Sequence, residues 1–249
     1  MSLFVSLFAY PLGKEAGERG VAEQRLVMLE VESGTNAKWP GFRTLYRART
    51  LEPLELHVDC GTLIARARSA AAARFLEIAD ADVWLSIDDD VEASAATLSL
   101  LIQAVRDGHD LVSVPALCAN AQQTNVRFTP HPPTFDIEAL PVVRQGALQS
   151  RIAPVEFSGF ALYAASRRAI EALKDGYPDL VCDKAGDRPA LGVFLEEIID
   201  GRWYGEDAAF HRRARCVGLV PETLLDCETR HAGRGLPTNW FDLVRKEAP

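Results

Sequence analysis

Paired cysteines are missing from this chain. Its five, Cys60, Cys118, Cys182, Cys216 and Cys227, are odd in number, widely spaced and form no C-x-x-C pair. That pattern excludes a disulfide framework and a zinc site built on paired thiols, and it fits a reducing compartment. Excess positive charge is missing too. Against 27 Lys and Arg stand 35 Asp and Glu, giving a net charge of −8 and a pI near 5.2. Gripping nucleic acid through bulk charge is therefore disfavoured, while a local basic groove stays open. No stretch reaches the roughly 20 consecutive apolar residues of a membrane span. The first apolar run, residues 3–10, is short and has no basic residue before it. It reads as a first strand and not as a signal peptide. Internal repeats, low-complexity tracts and a clear linker are also lacking. Together these absences predict a cytoplasmic protein with no membrane span, folded as one domain over residues 1–249.

What is present is an ordinary globular composition, 48% apolar and 25% charged, with enough residues for one large α/β domain. Residues 3–9 read as a strand, 18–31 as a helix, 33–50 as irregular and 54–58 as a further strand. The spacing of Ile64, Ala67, Ala71, Phe75 and Ile78 predicts a helix over 61–79, capped by Asp59 or Thr62. Strand 82–87 follows. Then comes a helix capped by Ser94, with the stripe Leu98, Leu101, Ile102 and Val105 and a stop at Gly108. Residues 110–115 read as another strand. This alternation predicts parallel pairing with right-handed crossovers, and ligands of such sheets bind beyond the carboxyl ends of the strands.

The second half has a different texture. Pro130, Pro132, Pro133, Pro141 and Pro154 sit among short strand-like runs, which predicts a mixed sheet or meander. Residues 155–163 read as a strand interrupted at Ser158-Gly159. Ser166 caps a short helix over 167–174, residues 175–192 read as loop, 206–215 as helix and 217–220 as strand. The tail from 228 onward, with Gly233, Gly235 and Pro237, reads as mobile.

The most informative junction is the apolar strand Val83-Trp84-Leu85-Ser86-Ile87 running into Asp88-Asp89-Asp90. Adjacent carboxylates repel by roughly 4 kcal/mol per pair at ~4 Å and an effective dielectric of ~20. A hard divalent cation relieves that repulsion, and Mg²⁺ in particular is held by one or two carboxylates plus substrate phosphates. The competing reading is a solvated acidic turn opening the next helix.

Four segments then line up in order. They are the helix carrying Ala67-Arg68-Ser69-Ala70, the strand ending in Asp88-Asp89-Asp90, Glu156-Phe157-Ser158-Gly159-Phe160, and Trp203-Tyr204-Gly205-Glu206-Asp207, with His231-Ala232-Gly233 downstream. In this order they resemble the GT-A fold of nucleotide-sugar glycosyltransferases, over roughly residues 60–235. The resemblance implies a Rossmann-like, three-layer α/β/α fold with a mixed, mainly parallel central sheet. It implies a nucleotide-binding half over 1–115, an acceptor half over 116–235 and a tail over 236–249. It further implies an Asp-x-Asp motif at Asp88 and Asp90 binding Mn²⁺ or Mg²⁺ with a nucleotide-diphosphate sugar, UDP- or GDP-linked in the usual donors. His231 would complete the metal site, and an acidic pair near the acceptor falls on Glu206 and Asp207. Many relatives carry Ala-Arg-Asn where this chain has Ala67-Arg68-Ser69, so a side-chain amide is lost and the arginine kept.

The chemistry assigns roles. Asp90 is the first choice for direct coordination and Asp88 for a metal or ribose contact; Asp89 is counted with the donor-binding residues and is the one of the three that strand alternation turns elsewhere. Imidazole nitrogen from His231 suits Mn²⁺; a surface loop histidine is the alternative. Asp207 is the candidate general base, with Glu206 as alternate, and an inverting transfer follows if Asp207 serves. Helix-start acids favoured by the dipole are the other reading. Arg68 either pairs with phosphate, orients the aspartates or sits on a solvated helix face. Trp203 and Tyr204 form an acceptor platform or pack in the core. Ser158-Gly159 lets substrate approach the backbone or marks a bulge. Tyr10 is placed to stack on a base, and Arg234 to close onto the diphosphate. Two other functions fit the same residues: nucleotidyl transfer, using Lys14 and Arg19 in the Gly-rich loop, and non-catalytic nucleotide-sugar binding.

Overall fold

A computed structural model describes residues 2–8, 44, 47, 51, 54–59, 63–88, 91–116, 126–127, 136–183 and 189–231. In chain order the strands are β1 (Ser2–Phe8), β2 (Leu54–Asp59), β3 (Ala81–Asp88), β4 (Val91–Ala93), β5 (Leu111–Ser113), β6 (Val126–Arg127), β7 (Val142–Gln145) and β8 (Leu148–Pro154). They continue as β9 (Phe157–Ser158), β10 (Leu162–Ser166), β11 (Val181–Cys182), β12 (Ala190–Leu191), β13 (Glu197–Ile199), β14 (Arg202–Tyr204), β15 (Pro221–Leu224) and β16 (Thr229–His231). The α-helices that lie wholly within the described residues are α1 (Ile64–Glu77), α2 (Ala95–Arg106), α3 (Arg167–Gly176) and α4 (Glu206–Cys216).

Eight strands form one mixed sheet in the order β2-β1-β3-β10-β5-β15-β8-β7. β1 pairs in parallel with both β2 and β3, and β15 pairs in parallel with β5. β10 lies antiparallel between β3 and β5. The first-half strands run in the expected common direction, but the expected adjacency is not met, and the sheet is not mainly parallel: four of its seven pairings are antiparallel, because strands of the second half enter it. β1 separates β2 from β3, and a strand from the second half separates β3 from β5. Local pattern predicts direction through the crossover rule; it does not carry the insertion of a distant strand.

β3 is the central strand, and its alternation explains the layers. Val83, Leu85 and Ile87 join the cluster of α2, with Leu98, Leu101, Ile102 and Val105. Trp84 joins the opposite cluster of α1, α3 and α4, with Ala67, Ala71, Phe75, Ile170, Leu173 and Phe210. A strand covered on both faces reads as a continuous apolar run, which is why β3 stands out in the sequence. Helices on both faces give an α/β architecture of three layers.

The two predicted serine caps are present. Ser94 accepts from the Thr97 N–H at 3.0 Å and Ser166 from the Ala169 N–H at 3.0 Å. α1 differs: it starts at Ile64, with Leu63 at the cap position and no side-chain cap. The predicted strand 217–220 is displaced to β15. Val217 and Gly218 form a turn with Gly218 at φ +84°, a conformation that valine-rich strands cannot supply. Pro221 then opens the strand, where a missing N–H does no harm. Thr44 and Arg47 are helical, inside the stretch 33–50 whose texture reads as irregular, and Leu51 just after it is helical too. The predicted helix over 18–31 lies outside the described residues.

Candidate functional site

The site forms where β3 ends and α4 begins, with α1 laid across both. Arg68 on α1 is 3% exposed, so the solvated-face reading of this residue is overturned. One end of its guanidinium, Nη1, donates to Asp207 Oδ1 at 2.5 Å and to Glu206 Oε1 at 3.3 Å. The other end, Nη2, donates to Asp88 Oδ1 at 3.2 Å and Oδ2 at 3.4 Å. The Phe160 ring lies 5.2 Å from the Arg68 carbon, a cation–π contact in a desolvated setting. Arg68 thus joins residues up to 139 positions apart in the chain. It thereby contacts Asp88 and Asp207, two of the acids it is expected to orient.

Three carboxylates against one guanidinium leave the cluster formally negative. Burial alone would lower the Arg68 pKa, but Asp207, Asp88 and Glu206 more than offset it and hold the pKa above its ordinary value. Burial pushes Asp207 up to about 6; Arg68 opposes that rise, Glu206 and Asp88 add to it, and a hydrogen bond from the Phe160 N–H opposes it. That bond measures 3.4 Å to Oδ2. A carboxyl group titrating near neutrality, within a cluster of opposed charges, is suited to proton transfer. Glu206 and Asp207 occupy the first turn of α4, whose cap residue is Gly205. Their side chains turn onto Arg68, and do not merely decorate a helix start.

Sequence reasoning missed His211. It lies one turn after Asp207 on α4 and is completely buried. Its Nδ1 donates to the Asp207 main-chain carbonyl at 2.7 Å. Its Nε2 faces the Tyr163 hydroxyl at 3.3 Å and the Ser158 hydroxyl at 3.5 Å. Burial pushes the imidazole down to about 4 and the Tyr163 phenol well above its usual range. Phe157, Phe160, Tyr163 and Phe210 surround the ring edge-on, with centroids 5.5–5.6 Å away. The only signal in the sequence was the i, i+4 spacing from Asp207, which any two helical residues can share.

The predicted acceptor residues divide. Ser158 and Gly159 are buried, and the Ser158 hydroxyl is turned to His211, so it does not line an open approach to the backbone. The break in the strand is nonetheless present: β9 pairs with β6, and the chain then re-enters the main sheet as β10. Trp203 is 63% exposed, which removes the core-packing reading. It sits on the β13–β14 hairpin opposite Ile198, itself 64% exposed. The hairpin closes through Asp200 and Gly201, both at positive φ, the requirement of a tight two-residue loop. Arg213 anchors it to α4 by donating to the Val193 and Leu195 carbonyls and to Glu197. Tyr204 is half-buried beneath the Arg202 guanidinium.

Of the predicted metal ligands, Asp88 is in the Arg68 cluster. Asp90 lies outside the described residues, as do the donor-binding candidates Asp89, Tyr10 and Arg234. β16 pairs antiparallel with β4, placing His231 in register with Val91. The backbone of His231 is thereby brought beside the residue that follows the aspartate triplet. Thr44 and Arg47 secure the β4 segment: Thr44 donates to the Val91 carbonyl and accepts from the Ala93 N–H, and Arg47 donates to the Ala93 carbonyl. Among the described residues no group of three His, Cys, Asp or Glu side chains is arranged to hold a metal ion, and no helix is long and apolar enough to cross a membrane.

No protein-family model matches the chain, and no curated protein matches it in sequence. Among solved structures it is similar to the crystal structure of A197 from STIV, with a TM-score of 0.52 and 12% sequence identity. The likeness covers 96% of this chain and 90% of that chain. At that identity the likeness extends to the fold alone.

Proposed function

We propose that this chain is a metal-dependent glycosyltransferase of the GT-A type, moving a sugar from a nucleotide-diphosphate sugar to an acceptor hydroxyl. The observation that carries the reading is the Arg68 cluster. It places the carboxylate at the end of β3 and the carboxylate pair at the start of α4 around one buried cation. A donor-side acid and an acceptor-side base in one cluster is the arrangement that displacement at an anomeric carbon needs.

Asp88, Asp90 and His231 would hold Mn²⁺ or Mg²⁺, a set of oxygen and nitrogen donors that suits Mn²⁺. The pairing of β16 with β4 favours this set, because it draws the two stretches of chain together. When bound, the ion supplies Lewis-acid stabilisation of the departing diphosphate. Asp207 takes the proton from the acceptor hydroxyl, and attack from the opposite face inverts the anomeric centre. Arg68 holds Asp207 and Asp88 in fixed relation. Trp203, exposed beside the start of α4, supplies an apolar face for the acceptor.

Incubation with a panel of UDP- and GDP-sugars and Mn²⁺ tests the reading through nucleoside diphosphate release. Release that requires metal and is lost in Asp90→Asn is expected. Absence of both turnover and nucleotide-sugar binding by calorimetry would remove the proposal. Pyrophosphate release from a nucleoside triphosphate would replace it with nucleotidyl transfer, and binding without turnover would replace it with a non-catalytic role.

A further inference from the structure

We infer that His211 is a positioning residue: a neutral imidazole that locks the first turn of α4, and with it the Asp207 carboxylate, to the strand segments β9 and β10. The inference takes Asp207 as the base of the proposed transfer.

The tautomer follows from hydrogen-bond roles. A main-chain carbonyl only accepts, so the 2.7 Å contact with Asp207 places the proton on Nδ1. Nε2 is then a bare acceptor. Tyr163 on β10 and Ser158 on β9 both present hydroxyls to it, and each can donate. Every polar atom of the ring has a partner, as a fully buried polar group requires. The imidazole is therefore a bridge with one end on the helix turn that bears Asp207 and the other on the sheet.

Asp207 is held from two directions as a result. Its carboxylate receives Arg68 and the Phe160 N–H, while its carbonyl receives His211. Phe160 follows the same chain segment as Ser158 and stacks on Tyr163, with centroids 4.0 Å apart. The groups that orient the carboxylate and those that orient the imidazole thus belong to one packed unit. The charged groups facing Asp207 are Arg68 from α1, Asp88 from β3 and Glu206 from α4. Arg68 and Arg215 act on the imidazole through their charge, but the neutral ring carries no charge of its own, so its effect on Asp207 runs through placement.

The test compares His211→Asn, which keeps an N–H close to the position of Nδ1, with His211→Leu, which keeps bulk and loses both polar ends. The Asp207 carboxyl carbon is followed by NMR across pH, its resonance assigned through Asp207→Asn. The wild type and His211→Asn are expected to titrate near pH 6; His211→Leu is expected to shift toward the ordinary carboxylate range as the turn loosens and water reaches the group. In the transfer assay, His211→Leu is expected to lose about 10²-fold in kcat with donor KM unchanged, and His211→Asn to recover most of it. An unchanged Asp207 midpoint in His211→Leu would overturn the inference and leave His211 as filler. Should His211→Leu fail to fold, nitrogen NMR of the wild type decides: a neutral ring protonated on Nδ1 supports the bridge, and a ring protonated on Nε2 overturns it. The titration needs no turnover. An Asp207 midpoint that responds as expected, in a protein that turns over no sugar donor, keeps the bridge and removes the transferase reading.

Discussion

Arg68 and Asp207 are joined by a 2.5 Å contact between side chains that are 3% and 21% exposed. The arginine is thus sealed beneath α1 while its acidic partners keep one side open to solvent. A buried guanidinium costs several kcal/mol unless its hydrogen bonds are met. Here both terminal nitrogens of Arg68 are received by residues that also carry the proposed chemistry.

Replacing Arg68 with Met leaves Asp88, Glu206 and Asp207 facing one another without a counterion. A loss of about 3 kcal/mol or more is expected in urea unfolding. Arg68→Lys is expected to recover little of it. One ammonium cannot reach to both sides as the two guanidinium nitrogens do. Equal stability of Arg68→Lys and the wild type would show that the fork geometry is irrelevant.

If Asp207 is the base, it works only when ionised. Transfer should therefore rise with pH through about 6 and level off above it. The acidic limb of kcat should vanish together with activity in Asp207→Asn. A rate independent of pH between 5 and 7 would point to a different base.

Stability should be flatter with pH than either buried group alone would allow. Between about pH 4 and 6 the folded chain keeps a proton on Asp207 that the unfolded chain has shed. That contribution falls as pH rises, by about 3 kcal/mol. From about pH 4 up to the unfolded value near 6.5, the unfolded chain carries a proton on His211 that the folded chain refuses. That contribution rises with pH by a similar ~3 kcal/mol. Urea titrations across this window should show stability falling with pH in His211→Asn and rising with pH in Asp207→Asn. Parallel slopes in the two variants would contradict this compensation.

Metal removal offers a separate handle. Chelation is expected to abolish nucleoside diphosphate release, and Mn²⁺ to restore it. Asp90→Asn should abolish the Mn²⁺ response with little change in melting temperature. Full release in the presence of chelator would dismiss the ion from the reaction.

Trp203→Ala should leave stability within about 0.5 kcal/mol, because the side chain stands in solvent. The acceptor KM should rise by about tenfold or less, matching the 0.5–1.5 kcal/mol of an aromatic contact. Donor binding by calorimetry should be unaffected. A loss of donor affinity would place the indole on the other side of the site.

The elements around the site were legible where local physics dominates. β3 shows as an apolar run because both of its faces are covered. α1 and α2 show through their apolar spacing, and Ser94 and Ser166 through their place before such stripes. Asp207 and Arg68 were legible as candidates because acids at a helix start and arginine before an acidic strand are chemically suggestive. Their union was not legible, since it depends on α1 crossing over the end of β3 and the start of α4. His211 was invisible for a related reason: a single buried histidine has no pattern of its own. β15 was misplaced because the apolar run Val217-Gly218-Leu219-Val220 looks more like a strand than Pro221-Glu222-Thr223-Leu224 does. Only the positive φ at Gly218 separates the two.

The placement of β10 between β3 and β5 has a consequence for how the chain folds. Neither neighbour can complete its ladder until residues 162–166 have been made and brought back. The sheet centre is thus a high-contact-order junction, whose loop-closure entropy must be met before the pairing rewards it. A fragment ending near residue 115 would hold the aspartate strand with a bare edge, prone to edge-to-edge association. During synthesis, the chain should gain its protected core only after the second half has emerged, and α4 with Asp207 arrives later still.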